Sequence, residues 1–410
     1  MRTTSFPKDQ IKVLLLEGVH KSAIELFEAE GFQVEALKHA LEGEELAARV
    51  ADVHVLGIRS KTQVQGPALE AARRLLTLGC FCIGTNQVDL KSANAHGVPV
   101  FNAPFSNTRS VAEMILAEIV MLARKIGDCS RDLHQGVWTK AAVGCYEVRG
   151  KTLGVIGYGH IGRQIGVMAE MIGMQVVFYD IAPRLPMGNN RAMKTMAELL
   201  AASDFVTLHV PETRETANMI GAPELAQMKK GSYLLNASRG SVVVIPALAA
   251  AVKSGHLAGA AIDVYPEEPA ANGPGFESEL RGLPNVVLTP HVGGSTAEAQ
   301  EAIGREVATA LIRFVNQGAT TGAVNFPQVE LPALEGRETH RILNVHRNVP
   351  GVLRDITRIV SDLNANIEAQ SLSTDPDIGY LVMDLGRDVA DEVQKAIAAL
   401  PTNIRTRILF

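Results

Sequence analysis

Along the first hundred residues, short aliphatic runs alternate with stretches whose apolar residues recur every three or four positions. The runs are Lys12–Leu16, His54–Ile58, Leu76–Leu78 and Val98–Phe101, with helical spacing over Ser22–Glu30 and Leu69–Ala72. Unbroken aliphatic runs of this length read as strands buried on both faces, and helices between them imply a parallel sheet. Ser110–Lys125 is one long apolar helix that carries Glu113 and Glu118. A second alternating series follows, with strands at Leu153–Ile156, Gln175–Tyr179, Phe205–Val210, Tyr233–Asn236, Gly259–Asp263 and Val286–Thr289. Six strands with intervening helices is the number of a complete doubly wound nucleotide-binding sheet.

A further helix covers Ala297–Phe314, and residues 317–336, richer in Gly, Pro and Thr, read as a linker. Beyond them, strands at Arg341–Val345, Ile367–Ser373, Tyr380–Asp384 and Ile404–Leu409 alternate with helices Val352–Leu363 and Val389–Leu400. That order is βαββαβ, a ferredoxin-like half-sandwich. So small a sheet leaves open edges, and pairing with a second copy is expected.

Composition narrows the class without supplying chemistry. Hydrophobic residues make up 47% of the 410 and charged residues 20%, enough for real cores and against disorder. A net charge of −5 with no basic stripe argues against binding nucleic acid or a membrane surface through gross charge. Residues 1–10 lack the apolar core of a secretory signal, and Val242–Val252 is broken by Pro246 and falls short of the ~20 residues of a span. Cys80, Cys82, Cys129 and Cys145 do not make a zinc-ligand pattern. A cytoplasmic protein with reduced thiols and no metal is expected.

Gly157-Tyr158-Gly159-His160-Ile161-Gly162 joins a strand to a helix. Its glycines serve a tight turn, close approach of backbone to a pyrophosphate, and close helix–strand packing, while the helix N-terminus supplies N–H donors. Asp180 ends the next strand, where an acid accepts hydrogen bonds from ribose hydroxyls and repels a 2′-phosphate. NAD rather than NADP is the expected cofactor, although Arg184 close behind would suit a 2′-phosphate.

Three polar residues stand at or after strand C-termini: Arg239, Glu268 and His291. Singly, each has a plain reading: a solvated loop charge, a surface carboxylate with Glu267 beside it, and a turn residue after Thr289-Pro290. Together they suit hydride transfer between an alcohol and a ketone. An imidazole moves the hydroxyl proton, a carboxylate holds its other nitrogen, and a guanidinium grips a substrate carboxylate.

Four segments carry a resemblance. They are Asn102-Ala103-Pro104-Phe105-Ser106-Asn107-Thr108-Arg109-Ser110-Val111-Ala112-Glu113, the glycine loop, Lys230-Gly231 through Arg239-Gly240, and Thr289-Pro290-His291. With them the whole chain resembles the D-isomer-specific 2-hydroxyacid dehydrogenases, most closely members with a C-terminal ACT regulatory domain. The resemblance implies an α/β protein with a Rossmann-like doubly wound NAD domain (residues 108–294) inserted in a flavodoxin-like substrate domain (1–107 and 295–330). A ferredoxin-like ACT domain (338–410) completes it. Arg239 is then the substrate binder, Glu268 the orienting acid and His291 the proton donor. Cofactor contacts fall to His160, Ile161, Asp180, His209, Val210, Pro211, Ala237, Ser238, Arg239, Asp263, His291, Val292, Gly293 and Gly294.

The resemblance further implies NAD-dependent oxidation of D-3-phosphoglycerate to 3-phosphohydroxypyruvate, the first step of L-serine biosynthesis; a pocket this cationic would also suit side reduction of other short 2-oxo acids such as 2-oxoglutarate. The substrate lies in the cleft between the first two domains. Arg59 and Ser60 match phosphate-side contacts, and Asn107, Lys140 and Gln300 match further ones, Lys140 from a neighbouring subunit. On residues alone, Lys140 reads equally as an exposed lysine near Trp138. His346, Asn348 and Asn366 match ligands for L-serine as feedback inhibitor, shared across an ACT–ACT interface, against the plain reading of turn chemistry. Val349 stands where relatives often carry Arg. A homotetramer through NAD-domain and ACT-domain contacts is implied. The alternatives are a dehydrogenase for another D-2-hydroxy acid such as glycerate, an NAD-sensing non-catalytic corepressor-like protein, and a tail that only oligomerises.

Overall fold

A computed structural model describes residues 6–269, 272–334, 339–386 and 389–409. Packing divides the chain into two compact units, Met1–Ser106 with Gln300–Phe410, and Asn107–Ala299.

The first unit opens with five parallel strands: β1 (Lys12–Leu15), β2 (Gln33–Ala36), β3 (Val55–Ile58), β4 (Thr77–Cys80) and β5 (Val100–Asn102). Their order is β2-β1-β3-β4-β5, the flavodoxin arrangement. β3 and β4 are buried throughout, as their aliphatic runs require. β2 has no such run because it is a mostly exposed edge strand. The helix Ala297–Gln317, reached only much later in the chain, lies directly on β4. A Cβ at Gly79 would stand 2.6 Å from Val307 and 2.7 Å from Leu311. Those residues with Ile303 and Phe314 share one core with Val13, Leu15, Phe81 and Phe101.

The segment expected to be a linker is docked instead. Val324 donates its N–H to the Val100 carbonyl at 2.8 Å, and Asn325 accepts from Val100 N–H and donates to the Val98 carbonyl. Thr320, Ala323, Phe326 and Val329 are buried. An edge strand has unpaired backbone groups, and this segment satisfies those of β5. Residues 335–338, where the linker was expected to end and the last domain to begin, lie outside the described residues.

The second unit holds β6 (Thr152–Ile156), β7 (Gln175–Tyr179), β8 (Arg191–Ala192), β9 (Phe205–Leu208), β10 (Ser232–Asn236), β11 (Leu257–Ile262) and β12 (Val286–Leu288). All are parallel, in the order β12-β11-β10-β9-β6-β7-β8. This is the doubly wound order, with the strand order reversing between β6 and β9. Seven strands stand where six were expected. The additional one, β8, is a pair of exposed residues beside β7, too short and polar to register as an aliphatic run. The helix Thr108–Arg124 buries Val111, Ile115, Ile119 and Leu122 among Val155, Leu235 and Ala261.

The first unit ends in an antiparallel sheet of β13 (Thr339–Arg347), β14 (Ile367–Thr374), β15 (Ile378–Gly386) and β16 (Asn403–Leu409), ordered β14-β15-β13-β16. Successive residues of β13 serve opposite faces. Ile342 packs on the helices Val352–Asp362 and Ala390–Ala398, whereas Leu343 and Val345 join the core beneath the five-stranded sheet. Between the two sheets Arg341 is fully buried. It binds both Asp384 oxygens at 2.7 and 2.9 Å and donates to the Gln317 and Pro332 carbonyls. A buried ion pair is tolerable only when its donors are matched in this way. Among the described residues, no helix is long and apolar enough to cross a membrane.

Candidate active site

The site is built at the C-terminal edge of the seven-stranded sheet, where parallel strands all finish together. Gly157 leaves β6 in left-handed backbone (φ +89°), and any Cβ there would collide with the His209 carbonyl. At Gly162 a Cβ would collide with the Gly157 carbonyl, so helix His160–Met171 approaches β6 closely only because glycine stands there. Nothing lies within 4 Å of where a Cβ on Gly159 would point, which leaves room for a ligand to approach the helix N-terminus closely. Asp180, just past β7, is held in place: its carboxylate accepts from Tyr158 N–H and Ala182 N–H, both at 2.9 Å. Arg184 sits 3.4 Å from the same carboxylate, so its charge is engaged by Asp180.

His209 follows β9. Its Nε2 lies 3.0 Å from Thr207 Oγ1, its buried Nδ1 has no partner among the described residues, and burial pushes its pKa down to about 3. A neutral imidazole with an unmatched buried nitrogen, beside an open glycine turn and an anchored acid, fits a bound dinucleotide. Val210 and Pro211 continue the same loop, half-buried and exposed respectively.

The three polar candidates meet one strand further along. At the end of β10, Asn236 accepts from both Ser238 N–H (3.0 Å) and Ser238 Oγ (2.7 Å) and donates to the Arg239 carbonyl (3.0 Å). Arg239 donates to the Ser238 carbonyl at 2.7 Å, and a Cβ at Gly240 would collide with the Tyr265 backbone. The Arg239 loop and the Tyr265–Glu268 loop are therefore in van der Waals contact. Asp263, buried after β11, organises the next loop by accepting from Thr289 Oγ1 (2.6 Å), Val292 N–H (2.8 Å) and Gly293 N–H (2.9 Å). The Asp263 carbonyl accepts His291 N–H at 2.8 Å. These bonds hold His291 at φ +55°, a conformation that costs a non-glycine residue about 1 kcal/mol or more.

Glu268, not Glu267, is the carboxylate on His291: Nδ1 lies 3.0 and 2.8 Å from its two oxygens. The Tyr265 N–H steadies Glu268 from behind at 3.2 Å. The hydrogen bond that Nδ1 makes to Glu268 raises the His291 pKa, outweighing partial burial. Burial works to raise the Glu268 pKa, but the hydrogen bond and charge of His291 pull it below the usual carboxylate value. With Nδ1 facing a carboxylate, Nε2 is the nitrogen left for proton transfer.

Of the further candidates, Asn107 stands at the N-cap position of the helix Thr108–Arg124 without a side-chain capping bond and reaches the same loop, its side chain filling the space beside Gly294. Lys140 is exposed, two residues from an exposed Trp138. Ala237 and Ser238 lie in the Arg239 turn, and Val292 is exposed. In the first unit, Arg59 and Ser60 follow β3, and Gln300 is half-buried on the helix Ala297–Gln317. In the C-terminal sheet, His346 is buried with Nδ1 2.9 Å from Asn344 Oδ1, and burial lowers its pKa. Asn348 Nδ2 donates to the Asp375 carbonyl at 2.6 Å. His346 pairs with Gly379, which pairs with Thr374 at the far end of β14 from Asn366. One chain therefore keeps Asn366 roughly 20 Å along the sheet from His346.

Two residues belong to this site that the sequence reading did not assign to it. Asn236 shapes the Arg239 turn, and its signal was a polar residue closing a fully buried strand. Glu118 is a buried carboxyl on the helix Thr108–Arg124 with neither oxygen partnered among the described residues. Burial and then the charge of Asp263 raise its pKa to about 8, so it is uncharged at neutral pH.

This fold, with a dinucleotide turn and a carboxylate–imidazole pair beside an arginine, defines an NAD-dependent dehydrogenase of hydroxy acids. The family profile for the NAD binding domain of D-isomer specific 2-hydroxyacid dehydrogenases matches residues 116–293, and an AHAS small subunit-like ACT domain profile matches 342–405. The chain is 57% identical over 408 residues to D-3-phosphoglycerate dehydrogenase of Dictyostelium discoideum, covering 100% of this chain and 99% of that one. It is 51% identical to D-3-phosphoglycerate dehydrogenase of Escherichia coli K12, covering 100% of both. Among solved structures, D-lactate dehydrogenase of Aquifex aeolicus with NAD and lactic acid aligns with a TM-score of 0.68 at 25% identity, over 77% of this chain and 100% of the other. The chain belongs to the D-isomer specific 2-hydroxyacid dehydrogenases, it carries a C-terminal ACT domain, and its cofactor is NAD.

Proposed function

We propose that the chain oxidises D-3-phosphoglycerate to 3-phosphohydroxypyruvate with NAD, the opening step of L-serine formation. The single observation that carries the chemistry is the His291–Glu268 pair beside the Arg239 turn. Arg239 grips the substrate carboxylate by a two-pronged hydrogen bond. His291 Nε2 accepts the hydroxyl proton, and Glu268 on Nδ1 fixes the tautomer and stabilises the imidazolium that forms. Bound NAD supplies the hydride acceptor. Gly157, Gly159, Gly162, His160 and Ile161 hold its pyrophosphate, Asp180 its ribose, and His209 through Pro211 and His291 through Gly294 line its remaining length. Arg59 and Ser60 take the substrate phosphate, with Asn107, Lys140 and Gln300 as further contacts.

L-serine acts as feedback inhibitor through His346 and Asn348 of one chain with Asn366 of another. The assembly is a homotetramer through NAD-domain and ACT-domain contacts, working in the cytoplasm, where reduced thiols are stable. 2-Oxoglutarate is a slower substrate in the reducing direction. The relatives of this length and identity support the phosphoglycerate reading, since they carry that name. A steady-state assay with D-3-phosphoglycerate and NAD, with and without L-serine, tests it. NADH formation suppressed by serine is expected. Turnover of D-glycerate without turnover of phosphoglycerate would reassign the substrate, and no NADH with either would sink the enzyme reading.

A further inference from the structure

The first unit holds a carboxylate that none of this chemistry uses. Past the end of β1 the chain turns through Glu17 and Gly18, both in left-handed backbone at φ +63°. Glycine or asparagine would adopt that conformation more easily, so a glutamate there points to a need for its side chain. The side chain reaches across to the loop after β3. Oε1 accepts from Arg59 N–H at 3.1 Å and Thr62 N–H at 2.9 Å, and Oε2 accepts from Lys61 N–H at 2.9 Å. The Arg59 guanidinium returns to the Glu17 carbonyl at 3.4 Å, and Gln87 Nε2 donates to the Arg59 carbonyl at 2.6 Å. Glu17 and Gly18 are themselves tied to the segment after β2, through N–H bonds to the His39 and Leu37 carbonyls at 3.1 and 2.9 Å. Backbone and side chain together, Glu17 and Gly18 thus join the ends of three neighbouring strands.

The place matters as much as the bonds. In a sheet ordered β2-β1-β3-β4-β5, the strand order reverses between β1 and β3, and ligands of open α/β sheets bind outside the strand C-termini at that point. Glu17 follows β1 and Arg59 follows β3. We propose that Glu17 is a positioning residue for phosphate recognition, shaping the Arg59–Thr62 loop so that Arg59 and Ser60 face the anion. This rests on the reading that Arg59 grips the substrate phosphate. Three amides converge on the carboxylate, so its charge is held inside the loop and the side chain acts through Arg59 rather than on the substrate.

The test is a double-mutant cycle on the full-length enzyme with Glu17→Gln and Arg59→Ala. Glutamine has nearly the same shape, but its NH₂ would face a backbone N–H. The KM for D-3-phosphoglycerate should rise about tenfold in Glu17→Gln, with kcat within about twofold and the KM for NAD unmoved. Arg59→Ala should raise the same KM at least as far, and the double variant no further than Arg59→Ala alone. Glu17→Asp, which keeps the charge, should raise KM less than Glu17→Gln and serves if the glutamine variant does not fold. Two results overturn the proposal while leaving the Arg59 reading intact: an unchanged KM in Glu17→Gln, or effects of the two substitutions that multiply. Equal losses in kcat and in the KM for NAD would mark Glu17 as generally structural and also overturn it. An unchanged KM in Arg59→Ala removes the Arg59 reading itself.

Discussion

Two histidines near strand C-termini show how a residue's place along its strand decides what it can meet. His291 is half exposed, and a carboxylate hydrogen bond raises its pKa; His346 is buried, faces a side-chain amide, and has its pKa lowered by burial. The difference goes beyond the two rings. In the parallel sheet every strand finishes at one edge, so loops after β10, β11 and β12 bring Arg239, Glu268, Asp263 and His291 together within one chain. In the antiparallel sheet β13 and β14 run the same way on either side of β15, and because His346 stands at the end of β13 whereas Asn366 precedes β14, the two lie at opposite ends of the sheet. The residues of the parallel-sheet site all follow strand ends and so meet, whereas His346 and Asn366 flank opposite ends of their sheet and do not meet within one chain.

Removing the carboxylate charge beside His291 gives the largest expected effect. Glu268→Gln should lower kcat roughly 10²-fold, within the usual range for a disturbed general base. The sign of the accompanying pH shift is defined: oxidation needs neutral imidazole, and without the carboxylate the His291 pKa falls. The acidic limb of kcat/KM should therefore move to lower pH, and a limb that stays put would show that Glu268 does not tune His291. The second histidine gives a smaller effect, read in inhibition. Asn366→Ala should weaken L-serine inhibition about tenfold. Hybrids of Asn366→Ala chains with His346→Ala chains should recover serine binding at some sites by calorimetry, and recovery of none would mean that each chain binds alone.

The smallest effect concerns Glu118, behind the parallel-sheet site. Its carboxyl titrates near 8 in the folded chain and near 4.5 when exposed. The proton it holds contributes stability in full below pH 4.5, and that contribution is lost as the pH climbs through 8. Glu118→Gln should raise the thermal midpoint by about 4 °C at pH 8 and by less at pH 5. An equal shift at both pH values would show that the group does not titrate in this range.

What was legible in the sequence follows the same division. Strands buried on both faces, such as β3, β4, β9 and β10, appear as aliphatic runs. The edge strands β2 and β8 do not, because one side of each meets water and no apolar run is needed. Residues 317–334 have a linker's composition, yet small residues such as Thr320 and Ala323 are what allow close docking on β5. In the site, the glycine turn and Thr289-Pro290-His291 were legible because backbone shape dictates residue type there. Glu17, Glu118 and Asn236 were not, since each takes its meaning from groups that only folding brings near.

The helix laid on β4 has a consequence for how the chain is made. As the protein emerges from a ribosome, all five strands of the first sheet appear before Val307 and Leu311 exist to cover one face of it. The whole nucleotide unit must be synthesised in between, and nothing in that unit waits for later residues to fill its core. The second unit in sequence is thus expected to be the first to finish folding, while the N-terminal sheet stays half-dressed and open to misassociation until residues well beyond 315 have been made.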